Sequence, residues 1–365
     1  MNPLPTTKTP GAKEARLVLE DGTAFPGRVF GTPTGVAGEV VFNTGMVGYP
    51  EMLTDPSYRG QVLVLTYPIV GNYGVPERRL TDELDETFES SEVQIAGLVV
   101  AEAVEEYSHW SAVKSLGRWL EEQGVPGLSG VDTRALTKRL RERGVMLGKI
   151  VNGEDVELRD PNQDNLVSLV STKDPVIYGT GPTRVVLIDC GCKNSIIRSL
   201  VRRGVTVIRV PWDYDFTEER FDGVVISNGP GDPKTCVATV EHVRRVMAQE
   251  RPILGICLGH QILALAAGGD TYKLKFGHRS QNQPCAAAGT SRCYITSQNH
   301  GYAVDERTLP DGWTVWFQNL NDGTNEGIRH RERPFMSVQF HPEAAPGPVD
   351  TNFLFDDFIA TLHGR

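Results

Sequence analysis

The sequence predicts an α/β chain in two parts. An N-terminal β-rich mixed α/β domain precedes a C-terminal mostly parallel open sheet with helices on both faces. Three observations carry this. From Arg184 onward, apolar runs at 185–189, 205–210, Gly223–Ile226 and Ile253–Ile256 are interleaved with helical patterns at 195–203, 236–250 and Leu258–Ala267. Apolar strands alternating with helices make a parallel sheet covered on both faces. Before residue 152 the apolar runs are short and separated by turn residues, with helices only near 113–123 and 132–144. Between them, residues 252–269 place Cys257 at a strand-to-helix junction flanked by Gly255 and Gly259.

In chain order, residues 1–12 are polar and Pro-rich and read as a flexible tail. Residues 16–19 and 23–30 read as strands around the Asp21-Gly22 turn, followed by strands at 39–42, 62–66 and 95–101. The polar stretch 43–58 is a candidate binding loop, and the acidic residues 77–92 read as a surface helix or loop. Asp132 is a plausible N-cap for the helix that Gly144 stops. Residues 152–183 are rich in Asn, Asp, Gly and Pro and read as a small helical piece around Leu166 within a linker. The expected division is therefore a domain over 13–151, a linker over 152–183 and a second domain over 184–365. Past Gly289, β segments at 291–296, 313–318, 327–329 and 335–340 precede a closing helix at 353–362.

Composition narrows the function. Of 365 residues, 39% are hydrophobic and 23% charged, and no apolar run is long enough to cross a membrane. A net charge of −9 without a basic stretch argues against nucleic acid as partner. The six cysteines include no CxxC pair, so no zinc or other metal site is expected, and the plain reading is a cytoplasmic chain with free thiols. Five of them, including Cys190 and Cys192, read as small apolar groups.

Cys257 differs. Gly-x-Cys-x-Gly after a buried strand is the cysteine form of a nucleophile elbow, a turn sharp enough to hold the side chain clear of the backbone. The N-terminus of the following helix favours a thiolate and a nearby oxyanion. A thiol nucleophile needs a base and a group that orients it. In an extended segment residues two apart face the same way, so Glu343 can reach the His341 ring. Spacing makes His341 the first candidate base and His300 the second, with His109, His242, His330 and His363 on surface segments, His260 on the elbow helix, and His278 and His300 in loops. Backbone N–H groups of Gly229, in the loop Asn228-Gly-Pro-Gly231, and of Leu258 are candidate oxyanion donors. Together these specify acyl transfer through a cysteine thioester and leave the amide substrate open. A free-standing cysteine hydrolase and a non-enzymatic binding module are the competing readings; the intact Cys257, His341 and Glu343 set speaks against the module.

The motifs Gly255-Ile-Cys257-Leu-Gly-His-Gln261, Asn228-Gly-Pro-Gly-Asp-Pro233 and His341-Pro-Glu343 together resemble the class I triad glutamine amidotransferases. Gly38-Glu-Val-Val-Phe-Asn-Thr44, Gly48-Tyr-Pro-Glu-Met-Leu-Thr-Asp-Pro-Ser-Tyr58, Asp132-Thr-Arg-Ala-Leu-Thr137, Lys275-Phe-Gly-His278 and Gln298-Asn-His-Gly301 resemble the small chain of carbamoyl-phosphate synthase. The resemblance implies a flavodoxin-like amidotransferase fold and a glutaminase subunit that hydrolyses L-glutamine and passes ammonia to a large synthetase subunit. That subunit would make carbamoyl phosphate, for arginine and pyrimidine synthesis, and would hold ATP and Mg; this chain has no P-loop and is expected to carry no cofactor. By motif, Cys257 is the nucleophile, His341 the base and acid, and Glu343 its orienter. Gly229, Gly231, Leu258, Gln261, Asn299, Gly301 and Tyr302 would hold glutamine, with Gly45 a backbone contact where some members have a serine. The chain also departs from the family at Ser280-Gln281-Asn282-Gln283, where Gly-Gly-Asn-His is usual.

Overall fold

The computed structural model describes residues 14–363; the N-terminal tail expected at 1–12 lies outside them. In the N-terminal half seven strands close into a barrel, in the order Glu14–Leu19, Met146–Val151, Val36–Asn43, Gln61–Leu65, Gly97–Val99, Pro126–Ser129 and Ala24–Gly31. Closure leaves no free edge in a half whose strands are short. Leu17, Val40, Val62, Val64, Leu128 and Ile150 form the barrel's core together with Leu136 and Leu140 of the helix Thr133–Arg143. That helix starts and stops as its sequence indicates. The Asp132 carboxylate accepts from the Ala135 N–H at 2.9 Å, and Gly144 ends it at φ 106°.

The C-terminal half is built on a ten-stranded sheet. Its centre is parallel: Val205–Pro211, Thr183–Asp189, Gly223–Ile226, Ile253–Ile256 and Phe335–Val338. Alternate residues serve opposite faces. Val186, Ile188, Val224 and Ile226 pack against the helices Val237–Ala248 and Leu258–Ala267. Val185, Leu187, Val225 and Leu254 pack against Asn194–Val201 and Leu354–His363. Antiparallel strands extend the sheet at both ends.

Several expectations change. Residues 152–183 are more than a linker. Val176–Tyr178 pairs with Val205–Pro211 as an edge strand, and Leu166 and Val167 are buried beside the second domain. Residues 77–92 form no helix. They hold a two-stranded hairpin and then bury Phe88 and Glu89. Residues 112–114 are strand, and the helix begins only at Leu116, after Ser115 caps it. Residues 270–287 form a strand paired with Cys293–Asp305, so His278 and His300 lie on strands. His242 is buried against Phe216, and the Cys293 residue is exposed while Cys190, Cys192, Cys236 and Cys285 are buried.

The two halves are joined by buried charge. The fully buried Glu89 accepts from the Ser195 N–H at 3.1 Å and Ser195 Oγ at 2.6 Å, and pairs with Arg198 at 2.7 Å. These contacts tie 77–92 of the first half to the helix Asn194–Val201 of the second. Removing one partner of a buried pair leaves the other's charge uncompensated. Glu89→Ala is therefore expected to lower stability by about 3–5 kcal/mol, read as a reduced urea midpoint with an unchanged slope.

Candidate active site

The strand Ile253–Ile256 carries the chain to the carboxyl edge of the sheet, where parallel α/β sheets place their ligands. There the backbone reverses at Cys257, whose φ of 56° and ψ of −103° lie outside the regions open to ordinary residues. The flanking glycines make this turn possible. A Cβ on Gly259 would sit 2.1 Å from the Ile226 carbonyl oxygen, and one on Gly255 would sit 2.5 Å from that of Gly259. Cys257 is the N-cap of the helix Leu258–Ala267, so its thiol stands at the helix's N-terminal end. A Cβ on Gly229 would meet the Cys190 carbonyl oxygen at 2.0 Å and Leu258 at 2.8 Å, so the Asn228–Gly231 loop reaches the elbow only because residue 229 is glycine.

His341 follows the strand Phe335–Val338 and is buried. Its Nδ1 lies 2.6 Å from Glu343 Oε1. The contact is made through a turn, closed by the Ala344 N–H donating to the His341 carbonyl at 3.1 Å, and not through the extended segment expected. Lys193, also buried, donates from Nζ to the same Glu343 oxygen at 3.1 Å and to the Ala344 carbonyl at 2.5 Å. Burial alone would lower the pKa of His341; the Glu343 carboxylate reverses this, with Cys257 adding and Lys193 opposing, and raises it to about 10. Burial would raise Glu343, but Lys193 and His341 hold it down at about 2. Each partner thus favours the charged form of the other. His341 Nε2, the far ring nitrogen, makes no hydrogen bond of ordinary geometry among the described residues, and the Cys257 thiol is the group that acts on the ring from that site.

Cys257, Leu258, Gly229, Gly231, Gln261, Asn299, Gly301 and Tyr302 line one cleft of about 490 Å³. His341 lines a smaller, adjoining cavity with Asn43, Asp55 and Lys193, and Asn299 borders both. Gly45 does not line the cleft but adjoins the smaller cavity through Asn43. Its N–H donates to Asn43 Oδ1 at 2.6 Å, and it lines a third cavity with Met46 and Tyr49. The serine that the first half presents to the cleft is Ser57. His300 has both ring nitrogens occupied, by the Tyr302 carbonyl at 2.8 Å and Gln298 at 3.1 Å, and burial holds its pKa well below the usual value. It is no free base.

Two residues escaped the sequence reading. Lys193 sits in the turn after the strand Thr183–Asp189, and its position at the carboxyl edge of a parallel strand was the available signal. Asp55 lies in the polar loop 43–58 yet reaches across the domain boundary. Its carboxylate accepts from Asn228 at 3.3 Å and Asn299 at 3.1 Å, bracing both the loop beside Cys257 and the strand bordering the cleft.

Comparison with known proteins agrees with this geometry. Residues 186–361 match the family model described as glutamine amidotransferase class-I, and residues 17–150 match carbamoyl-phosphate synthase small chain, CPSase domain. The arginine-specific small chain of carbamoyl phosphate synthase from Aspergillus fumigatus is 52% identical over 97% of this chain and 81% of its own length. Multifunctional protein pyr-3 of Neurospora crassa is 52% identical over 95% of this chain, and the mitochondrial carbamoyl-phosphate synthase [ammonia] of Homo sapiens is 50% identical over 96%. This chain spans 21% of the length of the first and 24% of the second. On this similarity and on the paired domains, the chain belongs to the carbamoyl-phosphate synthase small-chain family.

Proposed function

We propose that this chain hydrolyses L-glutamine through a thioester on Cys257 and delivers the ammonia to the large subunit of carbamoyl-phosphate synthase, as one half of a heterodimer. The observation that carries the reading is the Cys257 elbow beside a His341 paired to Glu343 at 2.6 Å.

In the proposed reaction the Cys257 thiolate attacks the side-chain carbonyl carbon of glutamine. The N–H groups of Leu258 and Gly229 receive the oxyanion. His341 gives its proton to the departing nitrogen, and the C–N bond breaks to release ammonia. Neutral His341 then takes a proton from water, whose oxygen attacks the thioester carbon; the C–S bond breaks, and glutamate leaves. Glu343 keeps the imidazole oriented and favours its charged form. Gly231, Gln261, Asn299, Gly301 and Tyr302 surround the amino-acid end of the substrate. ATP, Mg and bicarbonate chemistry belongs to the large subunit, and the product feeds arginine or pyrimidine synthesis. No helix among the described residues is long and apolar enough to cross a membrane.

The test is glutamate release by the purified chain with and without its large subunit. Slow release that accelerates when the large subunit binds and turns over supports a coupled glutaminase. Equal rates would exclude coupling, and no release in either case would exclude the glutaminase reading.

A further inference from the structure

Arg279 stands on the long strand Asp270–Ala287 and lines the cleft that contains Cys257. It is 95% buried (5% exposed), and none of its nitrogens takes part in an ion pair among the described residues. Nη1 donates to the Phe276 carbonyl at 2.9 Å. Nε is buried without a partner among the described residues. Nη2 lies where a Cβ on Gly301 would meet it at 3.3 Å, at the part of the cleft wall expected to face substrate. A guanidinium carries five N–H donors and stays charged in proteins. Leaving one buried with open donors is costly unless something else fills them. Burial weighs against its charged form, and Glu39, Tyr58 and Cys257 act on it from around the same cleft.

The neighbouring groups define what fits. Gln261, which lines the cleft, donates its amide nitrogen to the Tyr302 carbonyl at 2.8 Å and to Gln339 at 3.0 Å, so its amide is held in place from behind. The buried Glu39 carboxylate lines the same cleft. The cleft thus carries the Glu39–Lys273 ion pair, closed at 2.6 Å, and separately the Arg279 guanidinium, which has no carboxylate partner of its own among the described residues. A ligand whose amide sits at Cys257 and whose far end is a zwitterion matches this distribution of charge.

We propose that Arg279 is a specificity-determining residue that binds the α-carboxylate of the substrate. The inference rests on the glutaminase reading and adds to it a named partner for one end of glutamine. A carboxylate takes two parallel N–H donors from a guanidinium in a geometry that no single lysine or amide reproduces. The neutral α-amide of glutamine keeps the reacting carboxamide and loses this contact.

The test compares hydrolysis of L-glutamine and L-glutamine α-amide at the side-chain amide, measured as γ-carboxylate product on the assembled synthase. The wild type is expected to show a KM roughly tenfold to a hundredfold lower for glutamine than for the α-amide. Arg279→Gln is expected to raise the KM for glutamine by that factor, to leave kcat nearly unchanged, and to leave the KM for the α-amide where it was. Arg279→Lys should recover part of the preference. Equal loss with both substrates, or no change with either, overturns the proposal. Should Arg279→Gln fail to fold, protection of Cys257 in the wild type from alkylation decides: glutamine protecting better than the α-amide supports it, and equal protection overturns it. If the wild type hydrolyses neither substrate, the glutaminase reading itself fails, which is a separate outcome.

Discussion

Replacing Cys257 by serine is expected to abolish glutamine-dependent carbamoyl phosphate synthesis while leaving ammonia-dependent synthesis by the assembled enzyme intact. Serine differs from cysteine by one atom and fits the same buried position, so the elbow and the sheet keep their form. What is lost is the nucleophile. A serine hydroxyl beside an imidazolium does not ionise as a thiol does, and removing the nucleophile of a triad costs on the order of 10⁴–10⁶ in kcat. Ammonia supplied from solution bypasses the step. Paired assays with glutamine and with ammonium chloride read the difference. Loss of both activities would mean that Cys257 also supports the large subunit, against the division of labour proposed here.

His341→Asn is expected to lower glutamine hydrolysis by about 10²–10⁴, because the departing nitrogen then has no proton donor and the incoming water no base. The pH profile separates this role from a structural one. Because the folded protein raises His341 above the ordinary 6.5, the imidazolium is held up to about pH 10, and the ion pair adds stability that is present below 6.5 and is lost as pH rises through about 10. Glu343 has the opposite sign: held at about 2, it adds stability that is present above 4.5 and is lost as pH falls toward 2. Glu343→Gln is expected to move the alkaline fall of the imidazolium-dependent step to lower pH. Titration of the His341 ring by NMR in wild type and Glu343→Gln checks the direction. An unmoved titration would show that Glu343 does not govern the ring's charge.

How much of this was legible in the sequence follows from how local each feature is. The strand Ile253–Ile256 and the helix Leu258–Ala267 were found to the residue, since an apolar run, a pair of flanking glycines and the Gly268 stop are all local signals. The helix Thr133–Arg143 was legible for the same reason, from its cap and its terminating glycine. The hairpin of Asp270–Ala287 and Cys293–Asp305 was not. Its strands carry Lys, Arg, Gln, Asn and Pro284 with no clean alternation, and irregularities interrupt its register between Lys273 and His278 and between Ser280 and Gln283. Part of it packs on the other half of the chain: Phe276 lies against the barrel's core, and the Thr44 N–H donates to the Arg279 carbonyl at 3.2 Å.

The site divides along the same line. Cys257 announced itself by its glycines, and His341 and Glu343 by their spacing. Lys193 and Asp55 act through contacts across 150 and 173 positions, and no local pattern marks such residues. Gly45 was expected from the motif at the end of the strand Val36–Asn43; its N–H is held by Asn43, which lines the cavity with His341, and further along the loop Ser57 reaches the cleft.

The central claim is a covalent glutamyl group on Cys257. The most direct measurement is mass spectrometry of the enzyme quenched in acid during glutamine turnover, followed by mapping of the modified peptide. A glutamyl thioester is expected on Cys257, absent from Cys257→Ser, with none on the exposed Cys293. Turnover with an unmodified Cys257, or the adduct on another cysteine, would contradict the account.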